Sequence, residues 1–418
     1  MEKTIYVFAD WSLPDGTSFD TPQLVGTLTS NVIRNKELFS FSYAPKWLNS
    51  PYALPIDPEL QLYEGRQFSE VNNFRVFLDS CPDRWGRLLM KRREAALAKQ
   101  DGRRIQLLTE TDYLLGVHDQ YRMGGLRFKL GPVGEFLDSN DKLAAPPMSS
   151  LRELEHAVSK VEDDQQSDDP DYLKWLFMLI SPGSSLGGAR PKACVVDDDE
   201  SLWIAKFPSR YDDYDIGAWE YVVYQLALDA GIEMAESRIQ RFNSPFHTFI
   251  TKRFDRKGSK RLHFTSAMTQ LGYYDGDYEA SYLELAEYIT QHGADSAIDL
   301  EQLWRRIVFN IAVSNTDDHL RNHGFMLDQK GWRLSPAYDL NPVTPSNGLH
   351  LNITESDNRL DFDLALEVIS YFRISPPRAE EILAEVLRSV SNWREKANAI
   401  GINRAQQERM EQAFNDSQ

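Results

Sequence analysis

Ser314-Asn315-Thr316-Asp317-Asp318-His319-Leu320-Arg321-Asn322 is followed, a short distance on, by Tyr338-Asp339. The order is an Asp, an Asn five residues later, and a second Asp beyond a hairpin. The hairpin is read from Phe325-Met326-Leu327, the turn Asp328-Gln329-Lys330-Gly331, and Trp332-Arg333-Leu334. A carboxylate at Asp317 suits the orienting of an attacking hydroxyl. An amide oxygen at Asn322 and a carboxylate at Asp339 suit Mg2+, which takes few protein oxygens beside water and phosphate. Taken singly, Asp317 and Asp318 also read as a helix-end cap, and Asp339 as a turn residue before Pro342. Three such residues in register around one hairpin point instead to phosphoryl transfer from ATP.

The flanking sequence places this loop. Leu303, Trp304, Ile307, Val308, Ile311 and Ala312 repeat at helical spacing and stop at Ser314. Ser375-Pro376-Pro377 opens another helix, with Ile382, Leu383, Val386, Leu387, Val390 and Trp393 on one face. The N-terminal part is strand-rich: Ile5 to Phe8, Phe39 to Tyr43 at period two, and a glycine-broken strand from Arg122 to Phe128, with a basic helix from Trp85 to Lys99. Ala144-Ala145-Pro146-Pro147 and the acidic residues Glu162-Asp163-Asp164 and Asp168-Asp169-Pro170 read as a solvated connection around a helix from Ser149 to Val161. The expected fold class is α+β: a two-lobed protein-kinase-like fold, strand-rich at its N-terminal part and mostly helical in its C-terminal lobe. The expected division is 1–145, 146–258 with the Gly-rich loop and a Lys strand, and 259–418 with the catalytic loop.

Ser181-Pro182-Gly183-Ser184-Ser185-Leu186-Gly187-Gly188-Ala189-Arg190-Pro191-Lys192 precedes an apolar strand (Ala193 to Val196), the acidic turn Asp197 to Glu200, and a strand ending in Ala205-Lys206-Phe207. Residues without Cβ let backbone N–H groups approach phosphate oxygens closely. A Gly/Ser-rich loop alone is also an ordinary turn. Loop, strand, turn and a strand with Lys near its end is how a kinase presents its phosphate-binding lysine. Gly183, Ser185, Leu186, Gly187 and Gly188 are the expected nucleotide loop, and Lys206 the expected lysine. Lys192 competes. Lys206 is preferred because Glu220 follows on a helix with Trp219, Val222, Val223 and Leu226, where an ion pair would position the lysine; a surface position suits Glu220 too. In Thr251-Lys252-Arg253-Phe254-Asp255-Arg256, Lys252 and Phe254 are expected beside the nucleotide. Asp255 either reaches a ribose or pairs with Arg253 or Arg256. His319 is expected at the nucleotide as well. With His323 it has i, i+4 spacing that suits zinc, but the pair lacks the Glu of a metalloprotease helix and Asn322-His323-Gly324 reads as loop.

Composition sets the outer bounds. The 418 residues are enough for two or three domains. With 46 basic and 63 acidic residues the net charge is -17, which argues against this chain gripping a nucleic-acid backbone by itself. Cys81 and Cys194 are too few for a zinc cluster and fit a reducing cytoplasm. No signal peptide is read at the N-terminus, and no stretch approaches the ~20 apolar residues of a membrane helix.

Taken together these pieces resemble the HipA family, the serine/threonine kinase toxins of bacterial type II toxin–antitoxin pairs. The matching stretches are Ser185 to Lys192, the Lys206 strand, Trp219-Glu220-Tyr221, Lys252 to Arg256, Thr316 to Asn322, and Ser335-Pro336-Ala337-Tyr338-Asp339. Val25-Gly26-Thr27-Leu28, Phe41-Ser42-Tyr43, Cys81-Pro82-Asp83-Arg84-Trp85-Gly86-Arg87 and Gly125 to Phe128 match further upstream. The resemblance implies transfer of the γ-phosphate of ATP, with Mg2+, to a protein serine, and a translation component such as an aminoacyl-tRNA synthetase as the kind of target. It implies autophosphorylation of a loop serine, Ser185 with Ser184 as the near alternative, which blocks nucleotide binding. It also implies a HipB-like DNA-binding antitoxin, with DNA reached only through that partner, and no membrane. Two positions depart from the family pattern: Asp318 stands where Gly is frequent, and Lys252 where some members carry an acidic residue. The alternatives are a lipid or small-molecule kinase, since phosphoinositide-kinase loops are similar, and a catalytically silent kinase-like protein that binds a partner.

Overall fold

The structure is a computed structural model that describes residues 2–34, 36–70, 73–140, 144–163, 169–180, 188–277, 279–345 and 347–414. Strands and helices are both abundant, as the α+β expectation requires. The chain divides into two compact units, Met1–Arg210 with Asp255–Thr265, and Tyr211–Phe254 with Ser266–Gln418. The expected 146–258 segment is thus shared between them.

In the first unit, β1 (Glu2–Ala9), β2 (Gln23–Ile33), β3 (Lys36–Tyr43), β4 (Gln67–Phe68) and β5 (Leu126–Lys129) form one sheet in the order β4-β3-β2-β1-β5. Alternation buries Ile5, Val7 and Ala9 of β1 on the face that also carries Leu28, Phe41 and Phe128. Gly26 is required where β2 meets β3: a Cβ there would lie 2.3 Å from the Ser42 carbonyl oxygen. The strand expected from Arg122 starts only at Leu126. Arg122 is instead buried, its guanidinium donating to the carbonyls of Ser80, Leu114, Val117 and Leu137, and Gly124 turns the chain at φ +69°.

The basic helix is α1 (Arg84–Gln100), capped by Asp83, whose Oδ1 accepts from the Gly86 N–H at 2.8 Å. β6 (Lys192–Val196) and β7 (Leu202–Lys206) form an antiparallel hairpin that sets Lys192 opposite Lys206. Two facing like charges destabilise a sheet unless one is neutralised. Asp83 neutralises Lys192: the Nζ–Oδ2 distance is 2.6 Å and the side chains are 5% and 3% exposed.

His263 of this unit stacks on Trp11 (centroids 4.5 Å apart, 12° between planes) and is buried. Burial lowers its imidazole from 6.5 to about 4. The unfolded ring therefore takes a proton that the folded ring refuses as pH falls from about 6.5 to about 4. Stability from this group is complete above that window and is lost through it, by up to ~1.4 kcal/mol per pH unit. Urea unfolding at pH 5 and 7 should show this slope in the wild type and not in His263→Phe; equal slopes would refute it.

In the second unit, α2 (Ile216–Asp229) begins at the Asp215 cap and packs with the hairpin of β8 (Ser237–Arg241) and β9 (His247–Lys252). α3 (Tyr282–His292), α4 (Ser296–Ala312) and α5 (Pro376–Val390) carry the helical core. Trp219, Val222, Leu226, Trp304, Ile307, Ile382 and Val386 belong to one buried cluster, so the helical periods read from sequence are core faces. β10 (Gly324–Asp328) and β11 (Gly331–Leu334) form the expected hairpin, and Gly331 holds φ +144° where a Cβ would meet the His292 carbonyl at 2.3 Å.

Candidate active site

The loop that opens at Ser314 is made by the way α4 ends. Ser314 N–H donates to Ile311 O (3.3 Å) and Asn315 N–H to Asn310 O (2.9 Å). This paired closure needs a left-handed residue just past the helix cap, usually Gly. Ser314 takes that conformation at φ +50°. The second carboxylate segment is held the same way, with Asp339 at φ +59°. Left-handed non-glycine residues cost free energy and cluster at functional sites. The two segments are tied to each other: Val343 N–H donates to Ser314 O (3.2 Å), and Asn341 N–H to Asn315 Oδ1 (3.2 Å).

Adjacent aspartates have opposite environments. Asp317 is exposed, whereas Asp318 is 1% exposed. Asp318 Oδ2 accepts from Tyr282 OH (2.6 Å), Asn310 Nδ2 (2.7 Å) and His323 Nε2 (2.8 Å). Burial pushes this carboxyl up, but the charge and hydrogen bond of His323, with the Tyr282 bond and the His319 charge, more than offset it and hold it below the usual carboxylate range. Asp318 is thus a support beneath the loop.

Asn322 Nδ2 donates to the main-chain carbonyl of Asp317 at 3.0 Å. Asn322 Oδ1 is buried and has no hydrogen-bond partner among the described residues. A buried acceptor left unpaired costs free energy and calls for an explanation, of which an ion is one. Tyr338 OH donates to Arg321 O (2.8 Å), so the residue before Asp339 is fastened to the residue before Asn322. Asp339 Oδ1 accepts from Asn341 Nδ2 at 3.4 Å. Phe254 packs on Tyr338 with ring centroids 5.6 Å apart, and Lys252 lies 3.9 Å from Glu236. The second unit therefore brings Asp317, Asn322, Asp339 and Phe254 into one neighbourhood. An amide oxygen awaiting a partner and a nearby carboxylate are the donor set that Mg2+ accepts.

His319 packs edge-on against His350, centroids 5.7 Å apart, while His323 is committed to Asp318. The pair does not share a helix face, and among the described residues no group of three or more His, Cys, Asp or Glu is placed to hold a metal. His350 is lowered from the ordinary imidazole value by burial and by His319, against the opposing pull of Asp317 and Asp318.

Of the first unit's expected residues, Gly183, Ser184, Ser185, Leu186 and Gly187 lie outside the described residues. Gly188 is described, and its carbonyl accepts from Lys192 Nζ at 3.0 Å. Lys192, the competitor of Lys206, is thereby occupied by Asp83 and Gly188. Lys206 closes β7 in the first unit, and Glu220 is buried in α2 of the second. Asp255 has no exposed surface. Its carboxylate accepts from Gly124 N–H (2.9 Å) and pairs with Arg256 (2.5 Å), so the ion pair is the alternative that the structure contains.

Sequence reading missed Tyr282, Asn310, Asn315 and Asn341. The one signal available was Asn310, a polar residue among the apolar positions of α4.

Set against known proteins, this α+β architecture falls in the kinase-like class. A family model described as the HipA-like C-terminal domain matches residues 184–394, half of the chain. The chain belongs to the HipA family. It is similar to the HipA of Shewanella oneidensis MR-1, whose structure was solved with HipB and operator DNA: TM-score 0.65 at 16% identity, covering 97% of this chain and 94% of that one. At that identity the likeness is one of fold. A Haemophilus influenzae protein named "Putative kinase" is 27% identical over 195 residues, 40% of this chain and 57% of that protein. A Sinorhizobium fredii protein named "Putative kinase Y4mE" is 26% identical over 148 residues, 33% of each. The chain thus spans little more than half the length of the first relative.

Proposed function

We propose that this protein is an ATP- and Mg2+-dependent serine/threonine protein kinase of the HipA toxin type. The observation that carries the reading is Asn322: its amide nitrogen is fixed to the Asp317 carbonyl, and its buried oxygen has no partner among the described residues, beside the Asp339 segment. In this reading Asp317 orients the acceptor hydroxyl and takes its proton, while Asn322 and Asp339 would hold Mg2+. A bound Mg2+ would neutralise charge on the transferring phosphate. Lys206, Lys252, His319 and the loop from Gly183 to Gly188 serve the nucleotide. A phosphate on Ser185 or Ser184 would set about two negative charges where nucleotide phosphates must bind, and so silence the enzyme. The HipB found with the Shewanella HipA supports a HipB-like antitoxin as this chain's partner. Among the described residues no helix is long and apolar enough to cross a membrane.

Mass spectrometry after incubation with Mg·ATP tests the reading. The wild type should gain a phosphate that maps to Ser184 or Ser185. Asp339→Ala, lacking a proposed metal ligand, should need at least ~10-fold more Mg2+ for the same gain. A wild type that arrives unmodified, gains nothing and labels no lysate protein would sink the proposal.

A further inference from the structure

We infer that Asn310 is a positioning residue, one amide side chain that keeps the Asp317 loop and the Asp339 segment in register. The inference rests on the kinase reading above. Asn310 lies in the last turn of α4, between the fully buried Phe309 and Ile311, and is itself 1% exposed. Burial alone favours an apolar side chain there, because a buried amide is tolerated only when its hydrogen bonds are made. All of them are made toward the site. Nδ2 donates to Asp318 Oδ2 (2.7 Å) and to Tyr282 OH (3.3 Å), and Oδ1 accepts from Asn315 Nδ2 (3.0 Å).

Each contact leads onward. Asp318 is the neighbour of Asp317, so gripping it fixes the backbone that presents Asp317. Asn315 Oδ1 holds the Asn341 N–H (3.2 Å), and Asn341 Nδ2 reaches Asp339 Oδ1 (3.4 Å). The run Asp318–Asn310–Asn315–Asn341–Asp339 joins the residue beside the proposed base to the proposed metal ligand. Its polarity is determined, because a carboxylate only accepts, so the amide must turn its nitrogen to Asp318 and its oxygen to Asn315. Leu offers neither group. Asp offers a second acceptor 2.7 Å from the first.

The test uses the full chain. Two readouts are taken: kcat and KM for ATP, and Mn2+ affinity in the presence of a non-hydrolysable ATP analogue, followed by electron paramagnetic resonance. Asn310→Asp is expected to lower kcat and Mn2+ affinity by ~10–100-fold, as loss of an orienting partner does, with KM for ATP rising in step with the lost metal affinity because metal and nucleotide binding are linked. The exchanged pair Asn310→Asp/Asp318→Asn restores a donor facing an acceptor and should recover most of both. Wild-type kcat and Mn2+ affinity in Asn310→Asp overturn the inference. So does a loss that the exchange leaves unrepaired and that matches a fall in the unfolding midpoint. Should Asn310→Asp fail to fold, Asn315→Ala cuts the same run and is judged by the same two readouts. If the wild type binds Mn2+ and nucleotide but transfers no phosphate, the kinase reading fails while the Mn2+ affinities still decide the bridge. A wild type that binds neither overturns both.

Discussion

Asp317→Ala is expected to bind ATP as tightly as the wild type and to transfer phosphate ~10²–10⁴-fold more slowly, the usual contribution of a positioned acid or base. The separation of the two effects follows from the loop's construction. The Asp317 side chain is exposed, and what Asn322 grips is the Asp317 main-chain carbonyl. Alanine keeps that carbonyl, so the Asn322 amide stays where it is. The supporting bonds run through Asp318, which the substitution leaves untouched. Single-turnover transfer from γ-labelled ATP, set beside calorimetric nucleotide binding, reads both quantities. A variant that transfers at the wild-type rate removes Asp317 from the proposed role. The same substitution at Asp318 should behave differently, because it leaves Tyr282, Asn310 and His323 without their shared acceptor and lowers stability first.

The second large effect is structural. Asp83→Ala should destabilise the protein by ~3–5 kcal/mol, the cost of leaving a buried charge without its partner. Lys192 and Asp83 are nearly sealed from water, and Asp83 serves twice: Oδ2 faces the lysine and Oδ1 caps α1. Losing the cap adds ~1 kcal/mol to the effect. Replacing both partners with apolar residues, as in Asp83→Leu/Lys192→Met, should recover most of the ion-pair share, since apolar pairs of similar volume replace buried ion pairs at little net cost. Urea unfolding of the two variants decides it. An Asp83→Ala midpoint close to wild type would show that the lysine finds water or another acceptor.

What was legible in the sequence was local. Leu303 to Ala312 give α4 because its buried face repeats every three to four residues, and Asp328 to Gly331 give the hairpin because the turn needs a glycine at φ +144°. The pairing of the short strands β6 and β7 followed from the acidic turn read between them. The order β4-β3-β2-β1-β5 did not, since β5 joins β1 across more than a hundred residues and nothing local encodes such a pairing. In the candidate site, Asp317, Asn322 and Asp339 stood out by spacing. The difference between Asp317 and Asp318 did not, because two adjacent identical side chains are separated only by the backbone path, and a left-handed Ser314 bends that path where sequence propensity would ask for glycine. Asp255 illustrates the same limit: its choice between a ribose and Arg256 depended on Gly124, distant in the chain. The Asn310 network was hidden because Asn is an ordinary residue until its neighbours are known.

The double duty of Asp83 has a consequence for how the chain is made. Lys192 lies 109 residues after Asp83. On a ribosome adding ~5–20 residues per second, α1 waits roughly 5–20 s after Asp83 is joined before its lysine exists. Through that interval the Asp83 carboxylate has the helix N-terminus it caps but not its lysine, and burying it in that state would cost free energy. Sealing Asp83 from water is therefore favoured only once the β6–β7 hairpin has been synthesised, which ties the burial of one residue to the birth of the other.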